Sequence, residues 1–256
     1  MQNCLHKLFT KINYYGIMEI IIVIFFTLKH MNNNIISKGG NVLMETFNEN
    51  NFVEIGGILV DNPEFSHELF DEKFYKVNIE SKRLSSSQDI LPVIISERLI
   101  DIDNLVIGKK VYIKGQFRSY NKQEEIKNKL ILSVFAKEID IIDTDDMLTL
   151  NNAELIGYIC KKPIYRKTPL GREIADVLVA VNRSYKKSDY IPCILWGRNA
   201  KFCEKLEVGT MVRISGRIQS RKYEKKLESG EILEKVAYEV SVSKFSLCKE
   251  DDEAQA

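Results

Sequence analysis

Four aromatic residues, Tyr185, Tyr190, Trp196 and Tyr223, stand close together in the second half of a 256-residue chain. Among them lie Arg166, Lys167, Arg172, Arg183, Lys186, Lys187, Arg198, Arg217, Arg221 and Lys222. Flat rings offer faces on which unpaired bases stack, and interleaved cations track a phosphate backbone. Each stacked base is worth about 1–3 kcal/mol, so two or three rings supply much of the roughly 8 kcal/mol behind micromolar affinity. The chemistry this set can do is reversible grip on an unpaired strand. Each member has a plainer rival role. Tyr190 and Trp196 could be core, Tyr185 and Tyr223 solvated, and any single cation an ordinary surface charge. The set as a whole points to a polyanion.

Charge supports the same partner. The formal net charge is only +1, but it is unevenly divided. Residues 45–150 carry 13 Lys+Arg against 20 Asp+Glu, whereas residues 151–249 carry 20 against 11. One half should attract a polyanion and the other repel it. Catalytic signatures are missing: there is no Walker loop, dinucleotide fingerprint or nucleophile elbow. The five cysteines (Cys4, Cys160, Cys193, Cys203, Cys248) and three histidines (His6, His30, His67) form no metal-ligand spacing. No enzyme activity, cofactor or metal is expected. The odd cysteine count suits a reducing compartment, with Cys160 and Cys193 as small core residues on strands.

The elements that must position the rings are strands. Ala153–Ile159 is apolar, and Glu173–Asn182 places Ile174, Val177, Val179 and Val181 in a β-branched run. Tyr190–Trp196 alternates, so Ile191, Cys193 and Leu195 share one face while Tyr190, Ile194 and Trp196 share the other. Ile194 is the misfit on that second face. Arg198–Leu206 has helical spacing and stops before Gly209. Met211–Gln219 and Val236–Val242 alternate around a charged hairpin tip. Three strands, a short helix and a hairpin is the order of an OB-fold, a five-stranded Greek-key barrel.

The unit is written twice. Glu54-Ile55-Gly56-Gly57 answers Glu154-Leu155-Ile156-Gly157, Pro63 answers Pro163, and Asp89-Ile90-Leu91-Pro92 answers Asp189-Tyr190-Ile191-Pro192. A period near 100 residues suits two copies of one domain rather than a solenoid. The fold class expected is therefore all-β with short helices, as tandem OB-fold barrels over residues 44–142 and 151–248. Asp143–Leu150 is an acidic linker. The first copy follows the plan through Phe52–Val60, Phe74–Ser81, Ile90–Ile95, Val111–Phe117 and Lys129–Ile142, with one helix expected per copy. It has Ile90 and Ser96 opposite Tyr190 and Trp196, and its hairpin offers only Tyr120. It is read as degenerate for nucleic acid and used for assembly or partner contacts; the alternative is that it binds a small ligand or nothing.

The segments PIYRKTPLGREIADVLVAVNRSY and DYIPCILWGRNAKFCEKLEVGTMVRISGRIQSRKYE resemble the core of the bacterial single-stranded-DNA-binding protein family. That core has a basic Arg-x-Thr-Pro-x-Gly loop, an Ala-Val-Asn-Arg strand end, an Ile-Pro-x-x-x-aromatic-Gly strand and a Gly-Arg-Leu-x-x-Arg-x-aromatic hairpin. The resemblance covers nearly all of residues 151–248. It implies bases stacked on Tyr185, Tyr190, Trp196 and Tyr223, and phosphates held by the ten cations named above. It implies sequence-tolerant binding and protection of single-stranded DNA in replication, recombination or repair. It also implies a homodimer giving four OB-folds, in a cytoplasmic, nucleoid-associated protein. RNA stays an open second ligand, because stacking does not read the 2′-hydroxyl.

Both ends depart from that pattern. Lys249–Ala256 (KEDDEAQA) keeps an acidic tail but lacks the long linker and apolar tip through which the family recruits replication and repair proteins. Ile17–Leu28 is apolar yet shorter than the roughly 20 residues of a membrane helix. Lys38-Gly39-Gly40 can be encoded by a purine run that resembles a ribosome-binding site ahead of Met44, so residues 1–43 are expected to be a leader read in frame. The alternatives are a disordered segment or a membrane anchor. Two other functions stand beside DNA binding: an OB-fold accessory protein of a primosome or recombination complex, and a membrane-tethered β protein.

Overall fold

The computed structural model describes residues 50–85, 87–122, 129–184, 187–226 and 230–248. All of them belong to one compact unit that begins at Phe47. The first half forms β1 (Asn51–Leu59), β2 (Glu64–Leu69), β3 (Glu72–Lys82), β4 (Gln88–Ser96), β5 (Lys110–Lys122) and β6 (Lys129–Ile142). The second forms β7 (Asn151–Ile159), β8 (Ile164–Lys167), β9 (Glu173–Arg183), β10 (Lys187–Trp196), helix α1 (Arg198–Cys203), β11 (Met211–Lys226) and β12 (Ile232–Leu247). The leader and acidic tail considered above lie outside the described residues.

Each half closes on itself. In the first, β1 pairs with both β3 and β5, and β4 meets β6 in parallel, Val93 opposite Val134. In the second, β7 pairs with β9 and β11, and β10 meets β12 in parallel, Cys193 opposite Val240. These are two OB-fold barrels. Alternation decides which side chains enter them, because successive strand residues point to opposite faces. Ala175, Val177, Val179 and Val181 of β9 are buried, as are Ile191, Cys193 and Leu195 of β10 and Val212, Ile214 and Ile218 of β11. Burial pushes the Cys193 thiol upward and that of Cys203 up to about 11, so both stay protonated near neutrality.

The barrels join through β1 and β7. These pair antiparallel from Asn51 opposite Leu155 to Ile55 opposite Asn151, with Val53 opposite Ala153 at the centre. Positions 100 apart thus exchange places, and the two copies are related by a local two-fold. The linker is part of the first barrel's packing. Gly56 N–H donates to Leu150 O, Lys82 N–H donates to Leu148 O, and Leu148 is buried. A side chain at Gly56 would overlap the Met147 carbonyl, so glycine is required where linker and β1 meet.

Several elements differ from the sequence expectation, and β2 and β8 are strands it did not include. β11 runs past Gln219 to Lys226, because the charged hairpin keeps its ladder with β12, Tyr223 opposite Lys235. α1 ends at Cys203 rather than Leu206. In the first barrel the helix expected per copy is a 3-10 turn, Ile102–Asn104. The Asp101 carboxylate accepts from Asp103 N–H and the next residue, Leu105, is buried.

Candidate nucleic-acid interface

β10 carries the centre of the candidate face. Tyr190 and Trp196 are 41% and 38% exposed, whereas the intervening Ile191, Cys193 and Leu195 line the barrel interior. Six residues at about 3.3 Å each set the two rings roughly 20 Å apart along the strand. Trp196 is held by its edge: its indole Nε1–H donates to Ser241 Oγ on β12 at 3.1 Å. Tyr190 is placed through its backbone, since its N–H donates to Ser119 Oγ of the first barrel at 2.7 Å. It therefore stands at the junction of the barrels. Tyr223 projects from the β11–β12 hairpin and is 39% exposed. Ile194, the apolar misfit, faces outward but is only 5% exposed. Its cross-strand neighbours are Asp176 of β9 and Ser241 of β12. Tyr185 and Lys186 lie outside the described residues.

The cations fall into three groups. Arg172, Lys187 and Arg198 are exposed and, among the described residues, make no ion pair. Arg172 sits beyond β8, in a turn where its N–H donates to Thr168 Oγ1. Lys187 opens β10, and Arg198 begins α1. A second group is exposed but paired. Arg166 meets Asp176 at 2.8 Å, Arg221 meets Glu239 at 3.3 Å, Lys222 meets Glu234 at 2.8 Å, and Lys167 reaches Glu173 at 4.0 Å.

The third group lies between the barrels. Arg217 and Arg183, read from sequence as phosphate contacts, turn into the joint between the barrels. Arg217 pairs with Asp89 of the first barrel. Arg183 Nε lies 3.0 Å from Asp189 Oδ2, at an angle that makes an ion pair without a hydrogen bond. The cause is the antiparallel β1–β7 seam, which lays β11 against β4 and β10 against β5.

The acidic barrel closes the matching face differently. Phe74 stacks on His67 at 4.8 Å between centroids, with a 7° interplanar angle, and packs on Phe135 at 5.7 Å. The Arg118 guanidinium lies 3.9 Å above Phe135. Phe135 is opposite Ile94 where the basic barrel has Ser241 opposite Ile194. These flat groups cover one another, whereas Tyr190 and Trp196 stand open. Sequence reasoning counted only Tyr120 here. The cross-strand ladder was hidden because His67, Phe74, Arg118 and Phe135 come from four separate strands.

Residues 150–248, the second barrel, match the single-strand binding protein family. Single-stranded DNA-binding protein B of Bacillus subtilis is 40% identical over 84 residues, 29% of this chain and 72% of that protein. Single-stranded DNA-binding protein 2 of Listeria innocua is 35% identical over 82 residues, again 29% of this chain but 52% of the relative. The chain thus spans most of the first relative and about half of the second. The crystal structure of the wild-type single-stranded DNA binding protein from Thermus aquaticus matches with a TM-score of 0.64 at 17% identity. That match covers 78% of this chain and 93% of the other, a likeness of fold that includes both barrels.

Proposed function

Because this chain belongs to the single-strand binding protein family, we propose that it binds single-stranded DNA with little sequence preference and protects it during replication, recombination or repair. The observation that carries the reading is β10. Its inward positions are buried in the barrel, while Tyr190 and Trp196 are open on its outer face. Stacking tolerates any base because every base has a π-face. Tyr223 adds a third ring from the hairpin, and Tyr185 is assigned the fourth by sequence.

Arg172, Lys187, Arg198 and Lys222 are the first phosphate contacts in this reading, joined by Lys167 and Lys186. Arg166 and Arg221 contribute once they leave their carboxylate partners. Arg183 and Arg217 act at one remove, by holding the barrels together. The acidic barrel serves assembly. A homodimer brings four barrels together, and the protein works in the cytoplasm. RNA binds the same rings, since they do not read the 2′-hydroxyl. The chemistry is binding alone, with no covalent step.

Titrating Trp196 emission with oligo-dT at several salt concentrations tests the reading. Each phosphate neutralised on a single strand contributes about −0.7 to the slope of log K against log[salt]. Six contacts, from Arg172, Lys187, Arg198, Lys222, Lys167 and Lys186, give a slope of about −4. Strong quenching with that slope is the expected result. Absence of quenching at low salt would overturn the reading.

A further inference from the structure

Two arginine–carboxylate pairs lie on the outer face of the basic barrel, among the open rings. Arg166 of β8 is bidentate on Asp176 of β9, with Nε to Oδ2 at 2.8 Å and Nη2 to Oδ1 at 3.3 Å. Arg221 of β11 reaches both oxygens of Glu239 of β12, at 3.3 and 3.4 Å, and Gln219 Nε2 donates to Glu239 at 2.8 Å. Glu239 also acts on Arg166, whose guanidinium is held above its ordinary value first by Asp176 and further by Glu239. The two pairs form one electrostatic group. Asp176 lies opposite Ile194, two residues from Trp196, and Glu239 lies two residues from Ser241, which holds the Trp196 indole.

The barrel does not need these carboxylates in order to close. The first barrel builds the same sheet with Lys76 opposite Ile94 where the second has Asp176 opposite Ile194. It has Ser133 opposite Arg118 where the second has Glu239 opposite Gln219. Glu239 is moreover an acid with a side chain only 9% exposed, on the face that also carries Arg166, Arg221 and Asp176. Burying a charge costs free energy unless it is paired, and its partners here are the groups that would otherwise meet a phosphate.

We infer that Asp176 and Glu239 are intramolecular stand-ins for DNA phosphates: they hold Arg166 and Arg221 in the free protein and compete with the strand for them, which limits affinity. The inference rests on the DNA-binding reading above. A planar guanidinium fork fits carboxylate and phosphate alike, so the exchange needs little movement of either arginine. Each arginine arrives already extended on the face, and each freed carboxylate repels the strand and favours its release. A freed carboxylate also gathers cations, which flattens the salt dependence.

The experiment compares oligo-dT affinity of the full chain with that of Asp176→Asn, Glu239→Gln and Glu138→Gln. The last removes an equal charge from the first barrel, where Glu138 pairs with Lys114 at 3.2 Å. Asp176→Asn and Glu239→Gln should each bind about tenfold tighter at low salt, with slopes steeper by up to about 0.7. Glu138→Gln should stay within about twofold of the unaltered chain. Unchanged or weaker binding by both face variants, or a gain equal to that of Glu138→Gln, would overturn the inference. If Glu239→Gln melts early, the half-exposed Asp176 carries the test. Failure of the unaltered chain to bind would instead sink the functional reading.

Discussion

Trp196→Ala should weaken oligo-dT binding by roughly 5- to 150-fold, the equivalent of the 1–3 kcal/mol that one base–aromatic stack contributes. The loss should come with little change in stability. Trp196 ends β10, is more than a third exposed and makes its indole hydrogen bond to a single serine, Ser241. The barrel interior beneath it is filled by Leu195 and its neighbours. Fluorescence anisotropy of a labelled oligonucleotide measures the effect, since the variant has lost the intrinsic probe. Phenylalanine should recover most of the affinity, because the ring and not the N–H meets the base. Wild-type affinity in the alanine variant would remove Trp196 from the interface.

Asp89→Asn should cost about 3 kcal/mol of stability, near the lower bound for breaking a buried ion pair, because its arginine partners are partly exposed. In a chain of this size that lowers the melting temperature by roughly 6–12 °C. Asp89 is fully buried and holds Arg83 at 2.7 Å and Arg217, and it accepts from Ser220 N–H at 2.8 Å. Asparagine keeps one acceptor but turns an amide donor toward two guanidinium groups. Asp189, its two-fold counterpart, accepts from Ser119 N–H at 2.6 Å and has only the misaligned Arg183 as a close cation. Asp189→Asn should therefore cost clearly less.

Acid titration should separate the pair as well. Burial raises the Asp89 carboxyl, but Arg83, the Ser220 amide and Arg217 outweigh it and hold the group below the usual carboxylate range. A carboxyl depressed in the folded state stabilises above its unfolded value, and that stability is lost as pH falls through the folded one. At Asp189 burial wins over the Ser119 amide, Arg183 and Arg118, so its carboxyl is raised. Its ionised form is a cost near neutrality, relieved as pH falls. The acid-induced loss of stability should shrink in Asp89→Asn and persist in Asp189→Asn, followed by thermal melts between pH 3 and 7. Equal melting and equal acid profiles would show that the joint does not depend on Asp89.

What was legible in the sequence was periodic. The inward sets of β10 and β11, and Val177, Val179 and Val181 of β9, could be read because strand residues alternate faces and those positions are apolar. Ile174, read with them, lies on the other face of β9, opposite Trp196. The repeat at 100 residues was visible in Gly57 and Gly157, Pro63 and Pro163, and Asp89 and Asp189. What sequence could not disclose depends on the register between paired strands, whether neighbours in the chain or far apart. Arg166 finds Asp176, Arg221 finds Glu239 and Phe74 finds Phe135 only once β8, β9, β11, β12, β3 and β6 are aligned. The Arg217 pair with Asp89 was hidden for the same reason: nothing local says that the second barrel's β11 lies against Asp89. Charge asymmetry between the halves was plain from composition, but how each half uses it needed the faces to be assembled.

The division of labour between the barrels is tested most directly by where a bound strand touches the chain. Oligonucleotides bearing 5-iodouracil, cross-linked to the full-length protein by light and mapped by mass spectrometry, report those contacts. The account predicts adducts at Tyr190, Trp196 and Tyr223 on the basic barrel, suppressed by raising salt. Adducts concentrated on Tyr120, His67 or Phe135 of the acidic barrel, with the β10 rings untouched, would contradict it.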